Sequence, residues 1–180
     1  RALGEEARRV QAERGERNLR CLTERISELQ DLTLASTLSF EQQLDAALSA
    51  GCRWFGADFG MIGKAQEGTY VVKLRHGDSH PPAVSGLPIA ESCVEELLEY
   101  GDPVAVPSAN MPIQRRHPAL GHVQLPVYLA VPIEVHLTAD RVLEFFGAAP
   151  DHAAFTETDF ASLQLLARWV QTVLHRESFQ

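Results

Sequence analysis

The chain has 180 residues, 45% of them hydrophobic and 22% charged, and its formal net charge is −8. That length suits one domain plus an extension, with a core large enough to need neither disulfides nor a structural metal. The acidic balance argues against a general nucleic-acid surface, and no apolar run approaches the roughly 18 residues that signal a membrane-spanning helix. No signal-peptide pattern is present either. Cys21, Cys52 and Cys93 lie far apart and form no CxxC pair, which reads as reduced thiols in a cytosolic compartment. The chain begins at Arg1 rather than Met, so we read it as a piece of a longer protein, with any output domain outside it.

In chain order, residues 1–38 read as one long helix, carrying the i,i+4 pairs Glu5–Arg9, Glu13–Arg17 and Glu16–Arg20. The first thirty residues hold seven Arg against six Glu, so the acidic excess falls on the rest of the chain. Leu19, Leu22, Ile26 and Leu29 repeat at the 3-4-3 spacing of a coiled-coil seam. So narrow a stripe predicts a parallel partner helix, hence a homodimer; the alternative is a helix folded back on its own domain. Gly4 and Gly15 weaken the helix before Leu19.

Ser39 and Gln42 form a capping box that opens a second helix. Phe40, Leu44, Ala47, Leu48 and Phe55 share one face of it, and Gly56 ends it. Phe59–Gly63 and Thr69–His76 read as strands joined by a tight turn at Glu67-Gly68. Tyr70, Val72 and Leu74 alternate with Val71, Lys73 and Arg75, which predicts one buried face. A loop spans Gly77–Pro88, a short helix about Ser92–Tyr100 stops at Gly101, and Pro103–Val106 is a short strand. Pro107–Pro126 shows no period, and irregular stretches of that length tend to carry binding. Val127, Leu129, Val131, Ile133 and Val135 give the cleanest alternation, with Pro132 on the other parity. Arg141–Gly147 is the returning strand. Thr156 and Asp159 cap a closing helix to about Arg176, where Leu163, Leu166, Val170 and Val173 repeat the seam spacing. Phe160, Trp169 and Leu174 widen that stripe, so the closing helix needs its own domain's core.

Strand pairs joined by short turns predict an α+β fold: a central antiparallel sheet of five to six strands with terminal helices packed on one face, preceded by a coiled-coil-like helix. The organisation expected is a signalling helix over residues 1–35 and a globular domain over 36–178.

Several segments resemble a GAF domain. Cys52-Arg53-Trp54-Phe55-Gly56-Ala57-Asp58-Phe59-Gly60 is similar to the family's entry into its first strand. Leu74-Arg75-His76-Gly77 ends the hairpin, and Leu87-Pro88-Ile89 with Glu91-Ser92 precedes the short helix. Arg116-His117-Pro118-Ala119-Leu120 followed by Tyr128-Leu129-Ala130-Val131-Pro132-Ile133 resembles a pattern of GAF modules in bacterial sensor kinases. Phe155-Thr156-Glu157-Thr158-Asp159 resembles the opening of the family's last helix. The likeness covers about Ser36 to Arg176. It implies a sensory, ligand-binding domain of a histidine kinase or diguanylate cyclase, dimerising through flanking helices and itself not an enzyme. Bilin-binding relatives carry a Cys-His pair where Arg116-His117 stand, so no covalent bilin is expected. The Asn-Lys…Phe…Asp-Glu signature of cyclic-nucleotide-binding members is replaced by Glu144-Phe145-Phe146, and Asp159 is followed by Phe160. The ligand is therefore unknown.

The pocket residues implied are Cys93, Leu97, Arg116, His117, Tyr128 and Phe145. Cys93 has two readings, a redox or ligand-sensing thiol and a small packed side chain. Arg115-Arg116-His117 suits either an anionic ligand or solvated loop charge. For Phe145 and Phe146, neighbours on one strand, one faces a pocket or core and the other does not. His76, His80, His117 and His122 match no zinc spacing, so no metal is expected. Asp58, Asp78 and Asp102 each sit near a glycine and read as turn residues. No GxSxG, HExxH or phosphate-cradling loop is present. Two further functions remain in view: a redox enzyme like free methionine sulfoxide reductase, using Cys93, and a spacer without ligand.

Overall fold

The computed structural model describes residues 2–77, 83–106, 117–121, 126–149 and 153–178. Contacts divide the chain into two units, residues 1–36 and 37–180. The first is a single helix, α1 (Ala2–Leu34). It runs through Gly4 and Gly15 despite a cost of about 1 kcal/mol for each glycine relative to alanine. Exposed pairs line it at Arg9–Glu13 (3.8 Å) and Glu16–Arg20 (3.6 Å). The four expected seam residues are not equivalent. Leu19 and Ile26 stand 67% and 42% exposed, whereas Leu29 is buried.

The second unit holds α2 (Phe40–Phe55), β1 (Phe59–Gln66), β2 (Thr69–Gly77), β3 (Leu87–Pro88), α3 (Cys93–Tyr100), β4 (Val104–Val106), β5 (Val127–Val135), β6 (Thr138–Gly147) and α4 (Glu157–Glu177). Six strands form one antiparallel sheet in the order β3-β2-β1-β6-β5-β4. Both expected capping boxes are formed, at Ser39–Gln42 and Thr156–Asp159. Gly56 and Gly101 take the left-handed conformation that closes α2 and α3. The two-residue strand β3, paired with Thr69 and Tyr70, falls inside the stretch expected to be a loop.

Two hairpins close through residues with positive φ, as two-residue type I′ turns require. Glu67-Gly68 (φ 51° and 75°) carries a glycine that announces the turn; His136-Leu137 (φ 53° and 64°) does not, and β6 begins at Thr138 rather than Arg141. Pro132 is tolerated because β4 ends opposite Ala130, leaving that side of β5 open beyond it.

The expected alternation in β2 fails half-way. The register shifts between Ile62 and Gly63, so Ile62 faces Leu74 while Gly63 faces Val72, and Lys73 is the extra residue of a bulge. Tyr70 and Val72 keep one face, but Leu74 moves to the other and Arg75 replaces it, its guanidinium 4.1 Å from the centre of the Phe59 ring. His76 accordingly meets Asp45 of α2, with Nδ1 2.9 Å from the carboxylate.

The sheet has two covered faces. α2 and α4 pack on each other and on one face. There Phe145 is fully buried, its ring 5.2 Å from that of Phe55. Gly51 of α2 permits this approach, since a Cβ there would overlap the Phe145 ring and crowd Leu166. Leu163, Leu166, Val170 and Val173 are all buried, so the seam spacing of the closing helix reports core packing rather than an open stripe. The opposite face is covered by α3, through Val94 and Leu97, and by residues 117–121.

Candidate functional site

Beneath α3 lies an apolar cluster of Phe59, Met61, Val94, Leu97, Leu120 and Phe146, with a carboxylate inside it. Glu144 of β6 has no solvent exposure. Its side chain points to this face because it precedes Phe145, which points to the other. Three donors converge on it from three segments. The Tyr70 hydroxyl from β2 donates to Oε2. The Tyr128 hydroxyl from β5 donates to Oε1 at 2.7 Å, and His117 Nε2 lies 2.8 Å from the same oxygen.

The tautomer of His117 follows from its other nitrogen. The backbone N–H of Ala119 donates to Nδ1 at 3.1 Å, so Nδ1 carries a lone pair and the ring proton sits on Nε2. The imidazole is thus neutral and donates to Glu144; the contact is a hydrogen bond to a carboxylate rather than an ion pair. Mutual backbone bonds between His117 and Gly121 (3.1 and 2.8 Å) close the turn that presents the imidazole.

Tyr70 reaches Glu144 only by crossing β1, since β2 and β6 flank that strand. Gly63 makes the crossing possible: a Cβ there would overlap the Tyr70 ring. The ring of Phe146 lies 4.8 Å from Phe59 in a stack, 5.1 Å from Tyr128 and 5.3 Å from His117, so aromatic faces wall the carboxylate. Burial pushes the Tyr70 hydroxyl well above its ordinary range, and the charge of Glu144 adds to this. Tyr128 is raised as well, by burial first and then by Cys93 and Glu144. Both phenols therefore stay protonated and serve as donors.

Cys93, the first residue of α3, adjoins this group. Burial and the nearby Glu144 charge push its thiol up to about 12, against a smaller downward pull from Tyr128. Cys52 on α2 is pushed up to about 11, mainly by burial. Neither offers the thiolate that nucleophilic sulfur chemistry needs near neutral pH.

A family model described as GAF domain matches residues 37–175. The chain belongs to the GAF domain family. No curated protein matches it in sequence. Among solved structures it is similar to the GAF domain of an Acinetobacter phosphoenolpyruvate-protein phosphotransferase, at 18% identity, TM-score 0.64, and coverage of 89% of this chain and 93% of that one. It is similar to a GAF domain from Pseudomonas syringae pv. tomato described as part of a sensor histidine kinase, at 19% identity, TM-score 0.57, and coverage of 94% and 92%. A free methionine-R-sulfoxide reductase from Neisseria meningitidis, solved with its substrate, shares 16% identity at TM-score 0.65, with coverage of 87% and 93%. Identities this low speak for the fold, and one GAF fold evidently serves both sensors and an enzyme.

Of the residues expected at the site of this GAF domain, Cys93, Leu97, His117 and Tyr128 lie on the α3 face. Phe145 does not: strand parity turns it to the α2–α4 face and gives its expected place to Phe146. Arg116 lies outside the described residues, as do Arg115, His80 and His122. Sequence reasoning missed the centre of the group, Glu144, and its partner Tyr70. One signal was legible, a Glu within the otherwise apolar run from Val142 to Gly147, at the parity of Val142 and Phe146. Among the described residues no group of three His, Cys, Asp or Glu is placed to hold a metal, and no helix is long and apolar enough to cross a membrane.

Proposed function

We infer that this GAF domain is a small-molecule-sensing and dimerising module of a bacterial signalling protein, with no catalytic activity of its own. The observation that carries the reading is Glu144. An ionised carboxylate inside an apolar core costs several kcal/mol relative to water, even with hydrogen bonds, and an apolar side chain of similar volume would pack as well. Its presence with donors from three separate segments fits a recognition group.

The same strand offers a route to the helices. Glu144 and Phe145 are adjacent, one on the α3 face and one against Phe55 of α2. A ligand that shifts β6 by a fraction of its side-chain spacing would repack Phe145 between α2 and α4. Well-packed interfaces answer such shifts by switching rather than by bending. The exposed Leu19 and Ile26 of α1 support pairing with a second copy. Cys93 argues against the reductase reading, because a thiol raised to about 12 holds almost no thiolate at neutral pH.

Three measurements on the full chain test this reading. Light scattering should give a dimer at micromolar concentration that Ile26→Asp converts to monomer; a wild-type monomer at high micromolar concentration refutes the pairing. A thermal-shift screen of metabolites should return a stabilising compound whose effect is lost in Glu144→Gln. Thiol-dependent reduction of free methionine sulfoxide that disappears in Cys93→Ser would instead establish the enzyme.

A further inference from the structure

Where α4 ends on the sheet, two histidines meet. His136 is the first residue of the two-residue turn between β5 and β6, held at φ 53°. Its imidazole lies against that of His175, in the last turn of α4, with ring centres 4.8 Å apart and ring planes at 71°. The pair is far apart in the sequence and fits no local ligand spacing; the packing of α4 on β5 creates it. Both rings stand on anchored backbone. Val135, directly before His136, is buried and pairs with Thr138 across the turn. Val173, two residues before His175, is buried as well. The rings themselves reach water, His136 being exposed and His175 half-buried.

The spacing is that of two ligands on one ion. Imidazole nitrogen binds zinc at about 2.0–2.1 Å, which sets the ring centres of two histidines on one tetrahedral ion about 5 Å apart. From the 4.8 Å contact, rotation about the last side-chain torsion aims a nitrogen of each ring at a common point, and that torsion is broad in histidine. The position also suits a cation, because the last-turn carbonyls of α4 carry the negative end of the helix dipole. Of the charged residues that follow His175, Arg176 opposes a cation and Glu177 favours one.

We propose that His136 and His175 together bind a divalent transition-metal ion of the zinc, nickel or copper class, and that the ion clamps the β5–β6 turn to the end of α4. Imidazole selects such ions, whereas magnesium and calcium prefer oxygen ligands. Among the described residues no third His, Cys, Asp or Glu joins the pair, so water completes the shell. That sets the site apart from the four-ligand sets of structural zinc and the three-ligand sets of catalytic zinc. Its effect is mechanical. The last turn of a helix frays readily, and a metal bond from His175 to a turn fixed by strand pairing holds it wound. The site does not depend on the α3 face being a ligand site.

The test titrates the full chain with zinc sulfate, observed by NMR of the histidine rings, with magnesium sulfate as the counterpart. Zinc should shift the rings of His136 and His175 together and slow amide exchange over residues 172–178; magnesium should do neither. His136→Asn keeps a residue that tolerates left-handed φ, and His175→Gln keeps a helix former. Each should weaken zinc binding at the pair at least about tenfold, the lower end of what even a lost supporting group costs a metal site. Equal denaturation midpoints without zinc would show that both variants fold. The chain's other histidines and its thiols can also take zinc, so the two named rings are the readout rather than total uptake. Zinc that leaves both rings unmoved, or binding at the pair that survives either substitution, overturns the proposal. An equal response to magnesium does the same, since magnesium has no use for imidazole. Ring shifts with unchanged exchange over 172–178, or a zinc-dependent rise in mass by light scattering that is lost in His136→Asn, would overturn the clamp, the second by showing an ion shared between two chains.

Discussion

The two faces of the sheet come from the same strands yet are built on opposite rules. On the α2–α4 face the contacts are ring against ring and ring against glycine: Phe145 on Phe55, with Gly51 leaving room. The one buried polar side chain of α4, Ser162, is satisfied within its own helix by the Thr158 carbonyl at 2.7 Å. On the α3 face the centre is a carboxylate, and its neighbours are arranged to donate to it. Three consecutive residues of β6, Glu144, Phe145 and Phe146, supply both faces by alternation. The difference separates a face built by apolar packing alone from one that holds a buried carboxylate through hydrogen bonds, a group costly for stability.

The sharpest way to test that division is to empty the apolar face. Phe145→Ala should cost about 3–5 kcal/mol of unfolding free energy in a denaturant titration, the usual range for losing a buried ring. It should leave the Tyr70, Tyr128 and His117 resonances near their wild-type positions. If those resonances move as much as the helix resonances, the two faces are not separable. A second substitution attacks the α3 face alone. In Gly63→Ala the new methyl overlaps the Tyr70 ring, so Tyr70 must withdraw from Glu144. We expect a loss of about 1–3 kcal/mol, typical of overpacking, and one tyrosine that ionises closer to its ordinary range in an ultraviolet titration. An unchanged tyrosine titration would show that Tyr70 does not depend on that gap.

The smallest effect concerns pH. Cys93 is raised from 9.0 to about 12, so between those values the unfolded chain gives up this proton while the folded domain keeps it. The stabilisation is complete below about pH 9 and is lost as pH rises towards 12. Cys52, raised to about 11, adds to the same trend. Denaturation midpoints should fall across this window, and Cys93→Ala should flatten part of the slope. An identical slope in the variant would mean that the thiol is more open to water than the structure shows.

Local patterns proved readable wherever a few neighbouring residues decide the outcome. Ser39 with Gln42, Thr156 with Asp159, Gly56, Gly101 and Glu67-Gly68 each mark an element's end by hydrogen bonding or by φ alone. The His136-Leu137 turn was not readable, because neither side chain favours left-handed φ and the pairing of β5 with β6 imposes it. Strand β3 escaped for a related reason: two residues carry no period, and only pairing with β2 defines them. The bulge at Lys73 was equally silent, and it moved Leu74 and Arg75 to exchanged faces. Within the site, His117 and Tyr128 were legible through the family resemblance. Glu144 was legible only as a lone glutamate at the parity of Val142 and Phe146; whether such a group is solvated or enclosed depends on α3 and residues 117–121, which cover that face.

The sequence by itself determined the helices, most strand positions, the antiparallel α+β arrangement and membership of the GAF family, since periodicity, caps and turns are properties of adjacent residues. It also assigned the same spacing to Leu19–Leu29 and Leu163–Val173, with only the wider stripe of Phe160, Trp169 and Leu174 to set the closing helix apart. The tertiary structure decided how far the two differ: Leu163, Leu166, Val170 and Val173 are all buried, while Leu19 and Ile26 remain open. It alone brought Tyr70, His117 and Tyr128 to Glu144, across separations of 74, 27 and 16 residues. Such convergence depends on strand order, on a missing side chain at Gly63 and on the parity of β6, and no stretch of local sequence encodes those three together.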